Sequence, residues 1–289
     1  MKILNFGSIN IDYVYDVNHF VKPGETIASK GFQTFIGGKG CNQSVALAKA
    51  GVNVFHASNI SESGLFIQSQ LEKWNVNTQF INIVLEATGH AIIQVNAEGE
   101  NAIIIHGGAN QTITKVQIEN TLNHFGNGDI LLLQNEINAI PEIIEKAKSR
   151  GMKVFFNPAP MTENVHNFPL SLIDVFIINE TEGEGLTGEK EIEKILATMQ
   201  TKFPESATLL TLGKNGSIYL DKNERIKIAA KKVKAIDTTA AGDTFIGYFM
   251  AGLEKGLSIK AALELATEAA AITVTRKGGS VSVPFLNEI

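Results

Sequence analysis

In the stretch "DTTAAGDTFIGYF", residues 237–249, two aspartates flank Thr, Ala and Gly, and an apolar, helix-like run follows the second. At such a helix start Asp243 has two readings. As a cap it accepts hydrogen bonds from the first free backbone N–H groups and complements the positive end of the helix dipole. As a chemical group it is a base, and Ala240, Ala241 and Gly242 are small so that an anion can approach the same N–H groups beside it. The motif alone leaves both open, so the elements that position it must decide.

Strand-like and helix-like segments alternate along the chain. "KILNFGSI" reads as a buried strand, "CNQSVALAKAGV" as a helix with a Gly stop, "VNVFHASNI" as strand and "SGLFIQSQLEKWNV" as helix. The alternation resumes with "KVQIENTLNHF", "DILLLQNE", "PEIIEKAKSRG", "MKVFFNPAP", "DVFIIN", "EIEKILATMQTKF" and "ATLLTLG". Repeated βα units predict an α/β fold with a mainly parallel sheet and helices on both faces. Two stretches, 12–36 and 88–106, instead show period-2 alternation with Gly and Asn turns, which predicts antiparallel hairpins forming a small accessory sheet. With no linker or repeat between segments, residues 1–289 are expected to form a single domain carrying that sheet as a lid.

Ligands of open parallel sheets bind beyond the carboxyl ends of the strands. Taken in order, the strand ends and the turns that follow deliver Asn10 and Asp12; Gly37, Gly38, Lys39, Gly40 and Asn42; Glu136; Asn157; Asn179 and Glu182; Thr211, Gly213 and Gly216; and, from a last strand, the 237–243 motif. Asn and Asp suit the hydroxyls of a polyol, whereas Gly-rich turns expose N–H groups to phosphates. The rim therefore points to a sugar and a nucleotide.

Composition narrows the class further. A net charge of −5 with no Lys/Arg-rich run argues against nucleic acid or an anionic membrane surface as partner. No apolar run has the length of a membrane span and the N-terminus lacks a secretory pattern, so a cytoplasmic protein is expected. The one cysteine, Cys41, reads as a small neutral residue, and the six histidines have no metal-ligand spacing. Neither "GxGxxG" after the first strand nor "GxxxxGK[ST]" occurs, which weighs against a nicotinamide oxidoreductase and a P-loop ATPase. A sugar sensor without catalysis stays as a rival.

"GSINID", "PGET", "GGKGCNQ", "NPAP", "NETE", "TLGKNG", "DTTAAGDTF" and "AAAITVTRKGG" together resemble, in order and over essentially the whole chain, the ribokinase branch of the PfkB-type carbohydrate kinases. The resemblance implies a three-layer ribokinase-like fold with a small antiparallel β lid, and an ATP-dependent kinase acting on ribose, another sugar or a nucleoside. It implies that Asp243 is the general base and that Ala240, Ala241 and Gly242 form the anion hole for the moving phosphoryl group. Sugar-binding positions are then Asn10, Asp12, Gly38, Lys39, Gly40, Asn42 and Glu136. ATP contacts fall at Asn179, Thr211, Gly213, Gly216, Gly242 and Thr267, and Glu182 organises Mg2+ through water. A K+ site is implied at Asp237, Thr239, Thr273, Arg276, Gly278 and Ser282. Phosphoryl transfer needs positioning and charge neutralisation more than covalent help, so a helix start, a metal and one base suffice. An apolar face on the accessory sheet needs cover, which predicts a homodimer through paired lids.

Overall fold

The structure, a computed structural model, describes residues 1–289. Its strands are β1 (Ile3–Phe6), β2 (Asn10–Asp16), β3 (Gly31–Gly37), β4 (Val54–Ile60), β5 (Asn77–Ile83), β6 (Gly89–Val95), β7 (Asn101–His106), β8 (Ile130–Gln134), β9 (Lys153–Asn157), β10 (Val175–Asn179), β11 (Ala207–Thr211), β12 (Ser217–Leu220) and β13 (Arg225–Ile228). Its helices are α1 (Lys39–Lys49), α2 (Leu65–Lys73), α3 (Lys115–Leu122), α4 (Ile140–Ser149), α5 (Glu180–Thr187), α6 (Ile192–Lys202), α7 (Ala241–Glu254) and α8 (Ile259–Thr273).

Nine strands form the main sheet in the order β13-β12-β11-β10-β9-β8-β1-β4-β5. All neighbours from β5 to β11 pair in parallel, and β12 and β13 extend the sheet as an antiparallel edge. Strands buried on both faces read as continuous apolar runs, and the alternation shows in which core each side chain joins. In β8, Ile130 and Leu132 pack with α1, α7 and α8, while Leu131 and Leu133 pack on the opposite face with α3, α4 and α6. The two apolar layers sandwich the sheet between helices. No helix is long and apolar enough to cross a membrane.

The second sheet has the order β3-β2-β6-β7. Each hairpin is antiparallel, and the two join along a parallel seam between β2 and β6, from Asn10↔Gly89 to Asp16↔Val95. Asn10 and Asp12 thus begin the accessory sheet instead of ending strand one. β1 ends at Phe6, and at the next residue, Gly7, a side chain would strike Gln134 and the backbone of Gly40, so the link to β2 packs closely on α1.

One expectation needs correction. The 237–243 motif does not leave a strand: after β13 ends at Ile228, residues 229–240 run without regular structure to α7. The amides of Ile236 and Asp237 both donate to the Val274 carbonyl (2.7 and 3.2 Å), so the C-terminal end of α8 holds this segment in place of the sheet.

Candidate active site

Asp243 lies in the first turn of α7, but it is not the cap. The N-cap is Ala240, held at φ 59°, and no side chain caps the helix. That left-handed conformation costs a non-glycine residue about 1–3 kcal/mol and recurs where function requires it. Asp243 is only 8 % exposed, and a buried carboxylate needs partners. It finds them on α1, accepting from Asn42 Nδ2 at 3.0 Å and Gln43 Nε2 at 2.9 Å. The capping reading of Asp243 therefore fails. In the same turn the Ala241 amide donates to the Thr238 carbonyl at 3.2 Å, whereas the amides of Gly242 and Asp243 have no partner within the protein. A Cβ built on Gly242 would meet nothing within 4 Å, so the approach to these amides is open.

Lys39, at the start of α1, stands among carboxylates. Asp243 above all holds its ammonium in the charged form, burial opposes, and Glu136 and Glu182 add to the attraction. Glu136 accepts from the Lys39 amide at 2.8 Å and from the Ser8 hydroxyl. Burial raises the Glu136 pKa despite those bonds. Asp12 is pushed up to about 6, first by burial and then by the charge of Glu136. These four residues bring the start of α1, the end of β8, β2 of the accessory sheet and α7 to one place.

The glycines around them separate by role. Gly38 is the N-cap of α1 at φ 92°, a backbone that favours glycine. At Gly40 a Cβ would collide with the backbone of Gly7 and Ser8, so this glycine serves close packing of α1 on the β1–β2 link. Asn10 accepts from Asn110 Nδ2 at 2.8 Å, leaving its own amide hydrogens for a ligand. Asn42 is committed on both sides: its oxygen accepts from Ser280 at 2.6 Å and its nitrogen donates to Asp243. The geometry gives Asn42 the base as its partner. Asn110, which also bonds both backbone groups of Ile9, was missed in the sequence, although "GGANQ" is a glycine-led polar turn of the kind that marks the other rim positions.

On the far side of the rim Asn179 and Glu182 form a capping box at the start of α5. The Asn179 side chain accepts from the Glu182 amide at 2.9 Å, and Glu182 accepts from the Asn179 backbone and side-chain nitrogens at 2.8 and 2.9 Å. Burial raises the Glu182 pKa, while Asn179, Lys39 and Asn157 act against it. Thr211 ends β11, followed by Gly213 (φ 52°) and Gly216 (φ 96°), the latter too close to Ile228 and Ala230 for any side chain. Thr267, on α8, donates its hydroxyl to the Leu263 carbonyl at 2.8 Å and so retains only acceptor capacity for a ligand.

Asp237 joins two segments near α7. Its carboxylate accepts from the Thr239 amide at 2.9 Å and the Gly278 amide at 3.0 Å. Burial acts to raise its pKa, and these bonds outweigh it, leaving the group below its ordinary range. Thr273 and Ser282 are fully buried with their hydroxyls bonded to main-chain oxygens, and the Arg276 side chain is drawn to Glu288 at 2.7 Å. What this group offers an ion is oxygen, from main chain, hydroxyl and one carboxylate, a donor set that fits a hard cation. No three His, Cys, Asp or Glu side chains cluster to hold a metal. Mg2+ keeps several waters and is bound through one or two carboxylates plus phosphates, and the buried Glu182 carboxylate at the start of α5 is a ligand of that kind. Cys41 is buried, and burial pushes its thiol up to about 12, so it is inert at neutral pH.

Residues 1–286 match the pfkB family carbohydrate kinases. The chain belongs to that family. It is 38 % identical to a ribokinase of Staphylococcus aureus over 300 residues, covering 100 % of this chain and 98 % of the relative. It is 31 % identical to a deoxyribokinase of Salmonella typhi, with 100 % and 97 % of the two chains covered. Among solved structures, Arabidopsis thaliana ribokinase complexed with ribose and ATP superposes with a TM-score of 0.89 at 30 % identity, covering 99 % of this chain and 96 % of that one. As a pfkB kinase the protein transfers phosphate to a sugar hydroxyl, and the ribokinase-like fold expected from the motifs is the fold it has.

Proposed function

We propose that this pfkB kinase is an ATP-dependent ribokinase, moving the γ-phosphoryl group of ATP to the primary hydroxyl of ribose. The observation that carries the reading is the buried Asp243 carboxylate beside the two unpaired amides of Gly242 and Asp243. Asp243 takes the proton from the hydroxyl as the hydroxyl oxygen bonds to the γ-phosphorus. The bond from that phosphorus to the β,γ-bridging oxygen breaks, and ADP leaves with the electron pair. The free amides and the Lys39 ammonium face the developing charge, where fixed donors stabilise a transition state most. Ala240 sets the turn that aims the amides.

Asn10, Asp12, Gly38, Lys39 and Glu136 form the sugar side, with Asp12 accepting from ring hydroxyls. Asn42 acts there by holding the base, and Gly40 by packing. Asn179, Thr211, Gly213, Gly216 and Thr267 form the nucleotide side. Mg2+, when bound, neutralises the phosphate charge, and Glu182 would hold its water shell. K+ would sit between residues 237–239 and 273–282, fixing the loop into α7. The four-stranded sheet serves as a lid on a single 1–289 kinase unit, excluding water from the transfer, and pairs with the lid of a second copy. ATP and a free pentose as substrates support a cytoplasmic location.

A second acceptor is favoured by the Salmonella relative, whose substrate lacks one ring hydroxyl. The test is ADP release from Mg–ATP with ribose, deoxyribose, hexoses and nucleosides. Ribose should give the highest kcat/KM. Preference for another acceptor would reassign the substrate, and binding of ribose without ADP release would make the protein a sensor.

A further inference from the structure

Gln43 follows Asn42 on α1 and is fully buried, yet no step of the transfer uses it. Its Nε2 donates in two directions: to Asp243 Oδ1 at 2.9 Å and to Asn157 Oδ1 at 3.3 Å. Its Oε1 accepts from Gln134 Nε2 at 2.6 Å. That last bond fixes which end of the amide faces the base, because a flipped Gln43 would set oxygen against the Asp243 and Asn157 oxygens and nitrogen against a donor. Gln134 is itself held by Asn5 at 3.2 Å, and Asn5 donates to the Gly40 carbonyl at 2.7 Å and to Ser44 at 2.9 Å. Asn157, at the end of β9, turns its own Nδ2 to the Ile177 carbonyl at 2.9 Å and to Glu182 Oε2 at 3.3 Å.

A line of neutral amides thus runs below the rim from one functional carboxylate to the other. A lysine in place of Gln43 would neutralise the base. An amide fixes the direction of the carboxylate and leaves its charge available for a proton. We propose that Gln43 and Asn157 are positioning residues that form one bridge, setting Asp243 on the sugar side in register with Glu182 on the nucleotide side. The inference rests on the kinase reading for its kinetic consequence and on the hydrogen bonds alone for its existence. Misplacing a reacting group by about 1 Å costs roughly 100-fold, so the bridge acts on turnover more than on binding.

Two variants separate the halves. Gln43→Met keeps the volume and removes both donors; Asn157→Asp keeps the acceptor for Gln43 and removes the donor to Glu182. Each should lower kcat about 10–100-fold with ribose and ATP KM changed less than about threefold. Asn157→Asp should also raise the Mg2+ needed for half-maximal rate. The double variant should lose little more than the worse single one, since groups acting through one network are not additive. A soluble Gln43→Met enzyme with wild-type kcat, or losses that simply add, would overturn the bridge. If Gln43→Met does not fold, Asn157→Asp decides alone by the same criteria. A readout independent of activity is the Gln43 side-chain amide NMR signal, which should shift in both Asp243→Asn and Asn157→Asp. A signal unmoved in either variant overturns the proposal, whereas a wild-type protein inert toward every pentose overturns only the kinase reading.

Discussion

At the scale of single residues, Asp243→Asn discriminates best between structure and chemistry. Asn keeps one acceptor for the α1 amides and turns an NH2 group toward the other, so the stability loss should be about 1–2 kcal/mol, the cost of one mismatched buried hydrogen bond. Turnover should fall roughly 10²–10⁴-fold, because the proton acceptor is gone. Measuring kcat and Tm on one preparation tests this, and normal turnover with an early melt would return the residue to a structural role. Asp12 gives a pH prediction. Its carboxylate pKa is raised from the ordinary 3.8 to about 6 by burial and by Glu136. The stability it contributes to the unliganded fold is present below its ordinary value and lost as pH rises through about 6. Sugar binding needs the charged form, so affinity should tighten over that same rise, and in Asp12→Asn this inflection should vanish from a calorimetric pH series. Asp12, Glu182 and Asp243 were legible as polar residues punctuating apolar strands and helices. Gln43, Asn110 and Ser280 were not, since a buried amide or hydroxyl on an ordinary helix or loop gains meaning only from partners distant in the chain.

Among the elements, the segments missed by the alternation have local reasons. α5 carries Gly183 and Gly185, which depress helix propensity, and it stands on its capping box. β12 and β13 form an antiparallel edge that no βα rhythm announces. The loop into α7 depends on the end of α8, a pairing that local pattern does not reveal. At the other end of α1, Lys49 is 5 % exposed, donates to the carbonyls of Ser280 and Val283 at 3.1 and 2.8 Å, and lies over the rings of Trp74 and Phe285. It therefore tethers the same 280–283 turn that supplies Ser280 to Asn42 and Ser282 to the proposed K+ site. Lys49→Met should cost about 1–3 kcal/mol, on the scale of hydrogen bonds from a charged donor, and should raise the K+ concentration giving half-maximal activity. Titrating activity with K+ at constant ionic strength checks both the tether and the ion. Equal rates in sodium, choline and potassium would remove the cation from the scheme.

For the molecule as a whole, the accessory sheet leaves Ile103, Ile104 and Ile105 exposed by 49, 65 and 62 % along its edge strand β7. An apolar edge of that kind is covered or aggregates. On the proposed pairing of lids, Ile104→Lys should shift the protein from dimer to monomer in sedimentation velocity and raise the ribose KM, because an unsupported lid would close less well. A wild-type monomer would refute pairing through the lid. The strand order carries a consequence in time. From β8 to β13 each strand lies beside the one made just before it, while β1, β4 and β5 occupy the other flank. A chain emerging from the ribosome can therefore lay down this flank by adding strands to an existing edge, each finding its template in place. The exception is the base, which arrives on α7 after every strand has been made. An incomplete chain can thus own a nearly finished sheet and still be chemically silent.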